Sequence, residues 1–583
     1  MITIENGKLQ FSIYKRMIMK KSIIFNTIVS LAAVFGLAAC DTDVDHYIAD
    51  VDAPVQTSIY PSAGSIIKPG TVNTIRVTFN KNIFFASANT SQITLNGSAV
   101  TSAKVLGSDS VLTITTDFPA ADSYDLEIPA GLITGPNNMP VAAISQQWQG
   151  VKISIATSPC NTNANAETKT LYNSLVNNYG KKIYSATMAD VNWNYTNATK
   201  VKTLTGKYPA INCFDFIHMP YSGQNWINYS DITPVKEWHD AGGIVAAMWH
   251  WLVPVQPLSV AEVVMPSSWS GSLQLNDDAA KTIFAKATVG DQIIVHYTNA
   301  AGAQGSFKDG STWSGLVDES KKSYDYFDIS KGSGSFYITL DATTLAAIQK
   351  SGIIISGHDY TLTSVNLTGK AEGGDHSEYS YRPEYVNFNC AKVLEEGTTE
   401  NIIFTRDLAT MATHLKALQS ANIPVIWRPL HEASGNTEVY SDGKAWFWWG
   451  YSGADQFKKI WQYMFSYFQQ QGINNLIWVW TGAAYDSNWY PGDAYVDIVG
   501  ADIYNVSSAS AIAKQFSDMQ YTYTNKMITM SECGAIANIS DIWNAGGKWG
   551  LFMPWYGNYS EGTPHASDSW WQAAMNDTNV INR

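Results

Sequence analysis

Residues 423–432 read IPVIWRPLHE, and residues 527–532 read MITMSE. Each is a short apolar run of strand length, and each stops on a single carboxylate, Glu432 and Glu532. A lone glutamate at a strand end is more often a solvated surface residue than a catalyst. Two of them, ending two strands of one sheet, present carboxyl groups at the same edge. Cleavage of a glycosidic bond needs such a pair, one protonated acid and one ionised nucleophile or base.

Six further runs carry the same strand pattern: KIYSATM, AINCFDF and GIVAAMWHW before the first glutamate, LIWVW and VDIVGADIY between the two, and GLFMPWY after the second. Helical periods fill most of the intervals. Leu408, Met411, Ala412, Leu415 and Leu418 share one face, as do Phe457, Ile460, Trp461, Met464, Tyr467 and Phe468. Eight strands alternating with helices predict an α/β fold, a (β/α)8 TIM barrel over 151–256 and 384–583, whose chemistry sits at the carboxyl ends of the strands. Glu432 and Glu532 are expected to end strands four and seven.

One interval departs from the pattern. Between Trp251 and the helix beginning near Phe404 lies a stretch far longer than a βα loop. Its middle reads as strands: SLQLN, TIFAKA, DQIIVHYTN, SFYITLD and GIIISGHDYTLTSVNLT, with helical period only near Leu345–Gln349. Residues 257–383 are therefore expected to form an inserted, jelly-roll-like β-sandwich on the active-site face of the barrel. Ahead of the barrel, residues 56–150 alternate with period two (Ile75, Val77 and Phe79; Tyr124, Leu126 and Ile128) between the turns Pro69-Gly70, Asn96-Gly97 and Gly135-Pro136. That spacing predicts a small Ig-like β-sandwich. Residues 41–55 read as a linker.

At 583 residues several domains are expected, and a net charge of −13 argues against nucleic acid or anionic membrane surfaces as partners. Aromatic residues make up 13% of the chain, with 21 Trp and 31 Tyr, which suits stacking on sugar rings. From Met17 a Lys pair precedes an apolar stretch too short to span a bilayer comfortably, closing on Leu37-Ala38-Ala39-Cys40. This resembles a bacterial lipoprotein box. The resemblance implies a signal peptide over 1–40, lipidation of Cys40, and an outer-membrane, cell-surface location through that anchor. The remaining Cys160, Cys213, Cys390 and Cys533 match no zinc spacing. His431-Glu432 starts an HExxH pattern that fails at Gly435, so neither a metal nor a cofactor is expected.

His431 and Arg428 are placed to position the Glu432 carboxyl, and the run AWFWWG ending at Gly450 offers rings for the mouth of the barrel. Together WRPLHE, AWFWWG, NLIWVWTG, YPGDAYVDIVGADIY, SECG and FMPWY resemble glycoside hydrolase family 26, in the family's order. LYNSLVNNYGKK, TGKYPAINCFDFIH, DITPVKEWHDAGGIVAAMWHW and DLATMATHLKALQ extend the match. The resemblance implies a retaining endo-β-1,4-mannanase with Glu432 as acid/base and Glu532 as nucleophile. It implies Tyr504 bonded to the nucleophile, Asp502 nearby, and His250, His431, Trp446 and Trp555 lining the subsite of the reacting sugar. Its expected partner is β-mannan or a related polysaccharide, and the chain is expected to act as a monomer. A β-1,3-xylanase, a mixed-linkage β-glucanase or a non-catalytic glycan-binding protein stay open as alternatives. Leu252, between WHW and Val253-Pro254, departs from the family, as does the looser VNFNCAKVLEEGTTEN. The insert more distantly resembles carbohydrate-binding modules, with Trp269, Trp313, Tyr324 and Tyr326 as stacking candidates.

Overall fold

A computed structural model describes residues 52–583 apart from 71, 88, 106–108, 190–192, 224–226, 318–325, 371–373 and 557–564. Cys40, the expected signal segment 1–40 and Tyr324 lie outside the described residues. The chain divides into two compact units, ending and beginning at Gly150 and Val151.

The first unit is a two-sheet sandwich. One sheet runs Gln56–Tyr60, Thr74–Phe79, Val111–Thr115, Ser102–Val105 in spatial order. The other runs Ile66–Ile67, Ile144–Gly150, Ser123–Ile128, Thr94–Leu95, Ser98–Ala99. Inward positions of both sheets close one core, among them Ile75, Val77, Leu112, Ile114, Tyr124, Leu126 and Trp148. The period-two alternation leaves their neighbours to solvent.

In the second unit eight parallel strands close on themselves: β1 (Ile183–Met188), β2 (Ile211–Asp215), β3 (Ile244–Trp249), β4 (Val425–Pro429), β5 (Leu476–Thr481), β6 (Ile498–Tyr504), β7 (Met527–Gly534) and β8 (Leu551–Pro554). Each pairs with its successor, and β1 pairs with β8 to shut the barrel. These are the eight apolar runs of the sequence. Their continuous hydrophobicity follows from burial on both faces, inward against the barrel centre and outward against helices. Ala186, Met188, Cys213, Met248, Ile426, Val479, Ile498, Met527 and Met553 fill the interior. Helices follow every strand except β5, whose connection to β6 holds only the short turns Ser487–Trp489 and Asp493–Tyr495 among the described residues. The long helices Thr399–Ser420 and Ala454–Gln470 bury the stripes read from their periodicity, apart from Tyr467, which is half-buried.

After β3 the chain leaves the barrel through Val253–Pro254 and returns through Tyr379–Ser380, which pair antiparallel at the root of the insertion. Between them stand two facing sheets. One contains Gln256–Ser259, Val263–Met265, Gln292–Ala300, Gly332–Thr339 and Tyr360–Leu367. The other contains Gly271–Leu275, Gln304–Asp309, Phe327–Asp328 and Ile353–His358. The sandwich has its own core of Ile293, Val295, Phe307, Ile338, Ile353, Leu362 and Val365. One expected strand is wrong. TIFAKA belongs to the helix Asp278–Phe284 and the turn after it, because Asp277 accepts a hydrogen bond from the Ala280 amide and caps a helix there. The adjacent apolar pair Ile283-Phe284 is too short to distinguish the two periods.

At the root, Glu378 is buried. It accepts from Asn366 Nδ2 at 2.7 Å and pairs with His296 Nε2 at 2.5 Å, while its carbonyl takes the Val255 amide. The ring of Tyr379 meets Tyr221 edge-on at 5.3 Å, tying the root to the loop after β2. The insertion is thus anchored to the rim from which catalytic loops also rise.

Candidate active site

Strand alternation aims every second side chain inward, and it places Ile426 and then Arg428 of β4 in the barrel centre. There Arg428 is buried. Its Nη1 donates to Glu532 Oε1 at 2.6 Å, Nη2 to Asp502 Oδ2 at 2.5 Å, and Nε to Thr481 Oγ1 at 2.7 Å. The expectation that Arg428 braces Glu432 is therefore corrected. Its guanidinium clamps the carboxylates of β6 and β7, because β4 turns away before Glu432 is reached.

Glu532 needs a device to face inward. Met527, Thr529 and Ser531 share the inward parity of β7, so regular alternation would send Glu532 out against the helices. Pairing with β6 runs Ala501 to Met530 and then Asp502 to Glu532, leaving Ser531 without a partner. Pairing with β8 slips over the same residues. This β-bulge inserts one residue and re-aims everything after it. Ser531 Oγ bonds Asp502 Oδ1 at 3.0 Å, and Gly500 makes room, since a Cβ there would lie 2.2 Å from that oxygen. Glu532 also does not end its strand, as the sequence suggested. β7 continues to Gly534, and the carboxylate stands just inside its carboxyl end. Tyr504 Oη donates to its second oxygen at 2.8 Å.

Glu432 lies past the end of β4. Leu430 and Glu432 both adopt left-handed backbone, with φ of 49° and 48°. For non-glycine residues this is strained by about 1–3 kcal/mol each. The turn is held by Trp449 Nε1 donating to the His431 carbonyl at 3.0 Å and by the Gly435 amide donating to the Glu432 carbonyl at 3.0 Å. Burial pushes the Glu432 carboxyl well above its ordinary range. The charges of Asp502 and Glu532 push it the same way, Arg428 opposes them, and a hydrogen bond to Asp502 adds to the rise. A hydrogen bond between two carboxyl groups requires a proton, and the raised group holds it. Burial also lifts Asp502, to about 7, against the pull of Arg428. The site therefore holds Glu532 gripped by a cation and a phenol, and beside it, joined through Asp502, Glu432 as a carboxylic acid.

Two histidines flank the pair. His250, just after β3, holds Asp215 at the end of β2 through Nδ1 at 2.5 Å, which fixes the ring's orientation. His431 lies 4.6 Å from it, ring centre to ring centre, and burial followed by the nearby His250 and Arg428 lowers its affinity for a proton well below the usual imidazole value. Phe447 packs at 4.8 Å on His431 and stacks at 4.4 Å on Trp449. Tyr381, just after the returning strand of the insertion, closes on Phe447 and on His250 at 5.5 Å each. Trp555 stands 5.9 Å from His250. A cavity of about 800 Å³ opens beside it, bounded by Thr187, Asn197, Lys200, Trp555, His565 and Trp571.

A barrel alone does not identify a family, but the match of the chain does. The sequence profile described as Glycosyl hydrolase family 26 covers residues 160–272 and 365–583, more than half of the protein. The chain belongs to glycosyl hydrolase family 26. Among solved structures, the family 26 domain of an endo-beta-mannanase/endo-beta-glucanase from Prevotella bryantii is 34% identical with a TM-score of 0.51, covering 73% of this chain and 98% of that one. A Mannan endo-1,4-beta-mannosidase of Thermothelomyces thermophilus is 26% identical over 75% of this chain and 68% of its own length. The Mannan endo-1,4-beta-mannosidase A of Piromyces sp. is 32% identical over 37% of this chain. The chain spans about a third of that relative's length.

Within this family 26 hydrolase the profile breaks off at 272 and resumes at 365, inside the insertion. The structure gathers Glu432, Glu532, Arg428, Asp502, Tyr504, His250, His431 and Trp555 around one centre. Trp446, also expected to line the subsite, is 38% exposed, and its neighbour Phe447 is the ring that packs on the two histidines. Trp448 and Trp449 are core. Asp215, not among the residues expected at the site, ends the apolar run INCFD on a carboxylate, the same signal that marks the two glutamates in the sequence. Tyr381 and His565, the latter 5.3 Å from Tyr504, carried no such signal, because each reaches the site on a segment between strands.

Proposed function

We propose that this family 26 protein is a retaining endo-β-1,4-mannanase acting by double displacement. Glu532 attacks the anomeric carbon. The bond to the leaving glycan breaks, and its electron pair takes the proton carried by Glu432. Glu432, now a carboxylate, removes a proton from water, which attacks the same carbon and returns Glu532 to its free form. The observation that carries this reading is the unlike environment of the two glutamates. Arg428 and Tyr504 hold one oxygen each of Glu532, while burial and neighbouring carboxylates keep a proton on Glu432. Retention further calls for carboxyl groups about 5–5.5 Å apart. The substrate follows from the mannosidase names borne by the relatives.

The test is reducing-sugar release from β-1,4-mannan, glucomannan, β-1,3-xylan and mixed-linkage β-glucan, with NMR of the first-formed anomer. Mannan is expected as the preferred substrate, giving the β-anomer first. Glu532→Ala should lose at least ~10⁴-fold in kcat. An α-product, or appreciable activity in that variant, would remove the nucleophile assignment. Preference for xylan or glucan would replace the substrate.

A further inference from the structure

Sharing no residue with the catalytic centre, the four-stranded sheet of the insertion carries a second polar pocket. Phe307, Ile353 and Ile355 point into the sandwich core, so alternation sends Ser306, Lys308, Ser356 and His358 to the opposite face. Ser306 and Ser356 are cross-strand partners. They are 1% and 2% exposed, yet the hydroxyl oxygens of both lack a hydrogen-bond partner among the described residues. Buried hydroxyls are normally satisfied, and Ser306, which lines a cavity, is left open where an outside partner could reach it.

Above them lies a cavity of about 190 Å³ lined by Trp269, Ser306, Lys308 and Tyr326. Trp269 is 40% exposed. Its ring meets Tyr326 at 6.5 Å and 74°, and His358 at 5.1 Å and 63°. It also holds left-handed backbone, φ 51°. A large exposed ring on a strained backbone is costly to keep for packing alone, and such strain concentrates at ligand sites.

We propose that this pocket binds one pyranose unit of a neutral β-linked glycan. Trp269 supplies an apolar plane for the C–H face of the ring, and Tyr326 stands nearly perpendicular as a side wall. Serine hydroxyls both donate and accept, so they match sugar hydroxyls, which do the same. An anion only accepts, and would meet a single cation, Lys308, beside the neutral hydroxyl of Ser306. The cavity is smaller than the ~300–1,000 Å³ clefts of drug-sized ligands, and suits one sugar ring. The site is separate from the cleft and would hold the enzyme on its polymer while the barrel cuts elsewhere. Only the choice of mannan as first probe rests on the function proposed above.

The experiment is retention of the full chain on insoluble β-1,4-mannan and β-1,4-glucan, in a Glu532→Ala background that prevents digestion. Adding Trp269→Ala should weaken retention about tenfold. Adding Ser306→Val, which preserves shape and both rings, should weaken it about threefold. With Glu532 restored, both variants should hydrolyse soluble mannohexaose within about twofold of the parent. Equal retention of all three proteins on both polymers, or no retention by the parent, overturns the site. So does a parallel loss of soluble activity, which would mark the pocket as structural. Ring-dependent retention by a chain that does not cleave mannan would uphold the site and remove the proposed activity instead.

Discussion

Asp502 is the residue on which the chemistry turns. It bonds Arg428, Ser531 and Glu432 at once, so it couples the acid to the clamp that holds the nucleophile. Because its charge and its hydrogen bond both hold the proton on Glu432, Asp502→Asn should let that proton leave more easily. The alkaline limb of kcat/KM is then expected to move to lower pH, read from a pH–rate profile on a soluble substrate. The sign for stability agrees. A carboxyl raised on folding weakens the folded state as pH rises above the unfolded value of about 4.3, so Asp502→Asn should flatten the decline in urea stability above that pH. An alkaline limb that stays put would show that Asp502 does not set the acid. Arg428 is a poor place for such a probe, since removing one partner from a buried ion pair costs about 3–5 kcal/mol.

At the scale of elements, the bulge in β7 decides whether Glu532 is catalytic or merely buried. Gly500 on β6 is its counterpart, for a Cβ would sit 2.2 Å from Ser531 Oγ and 2.9 Å from Ser531 Cβ. Gly500→Ala should push the bulge, misplace Glu532 and lower kcat about 10- to 100-fold, with a stability loss of about 1–3 kcal/mol. Adding Ser531→Gly should recover part of both, measured by steady-state kinetics and urea titration. Unchanged kcat in the single variant would mean that β7 tolerates a regular pairing. Eight apolar runs located β1 to β8 because buried parallel strands need continuous hydrophobicity. The bulge was not legible, because an extra residue in one strand exists only relative to its neighbours' register. The strained turn at Leu430 and Glu432 was hidden for a different reason: no glycine marks its left-handed residues.

For the whole molecule, the insertion and the barrel share a root but not a core. The insertion has its own buried cluster, and Val253–Pro254 pairs with Tyr379–Ser380 whatever lies between. Replacing 257–377 with a short Gly/Ser link should therefore leave a folded barrel. Its hydrolysis of soluble manno-oligosaccharide is expected within about tenfold of the full chain, assayed with thermal unfolding as the control for folding. A barrel that fails to fold would show that the His296–Glu378 pair is needed to build the rim. Tyr381 is kept in this design because it closes on His250 and Phe447.

What the chain's order of residues determined by itself was the count of strands, the helix stripes, the two-sheet units and the pair of glutamates. All of these depend on local periodicity or on a charged residue interrupting an apolar run. Only the tertiary structure decided which carboxylates Arg428 clamps, that Phe447 packs on the histidines, and that Asp215 and Tyr381 reach the site. Those outcomes depend on register between strands and on loops meeting across the mouth of the barrel. Neither quantity is carried by any one segment, since each is set by the closure of the sheet.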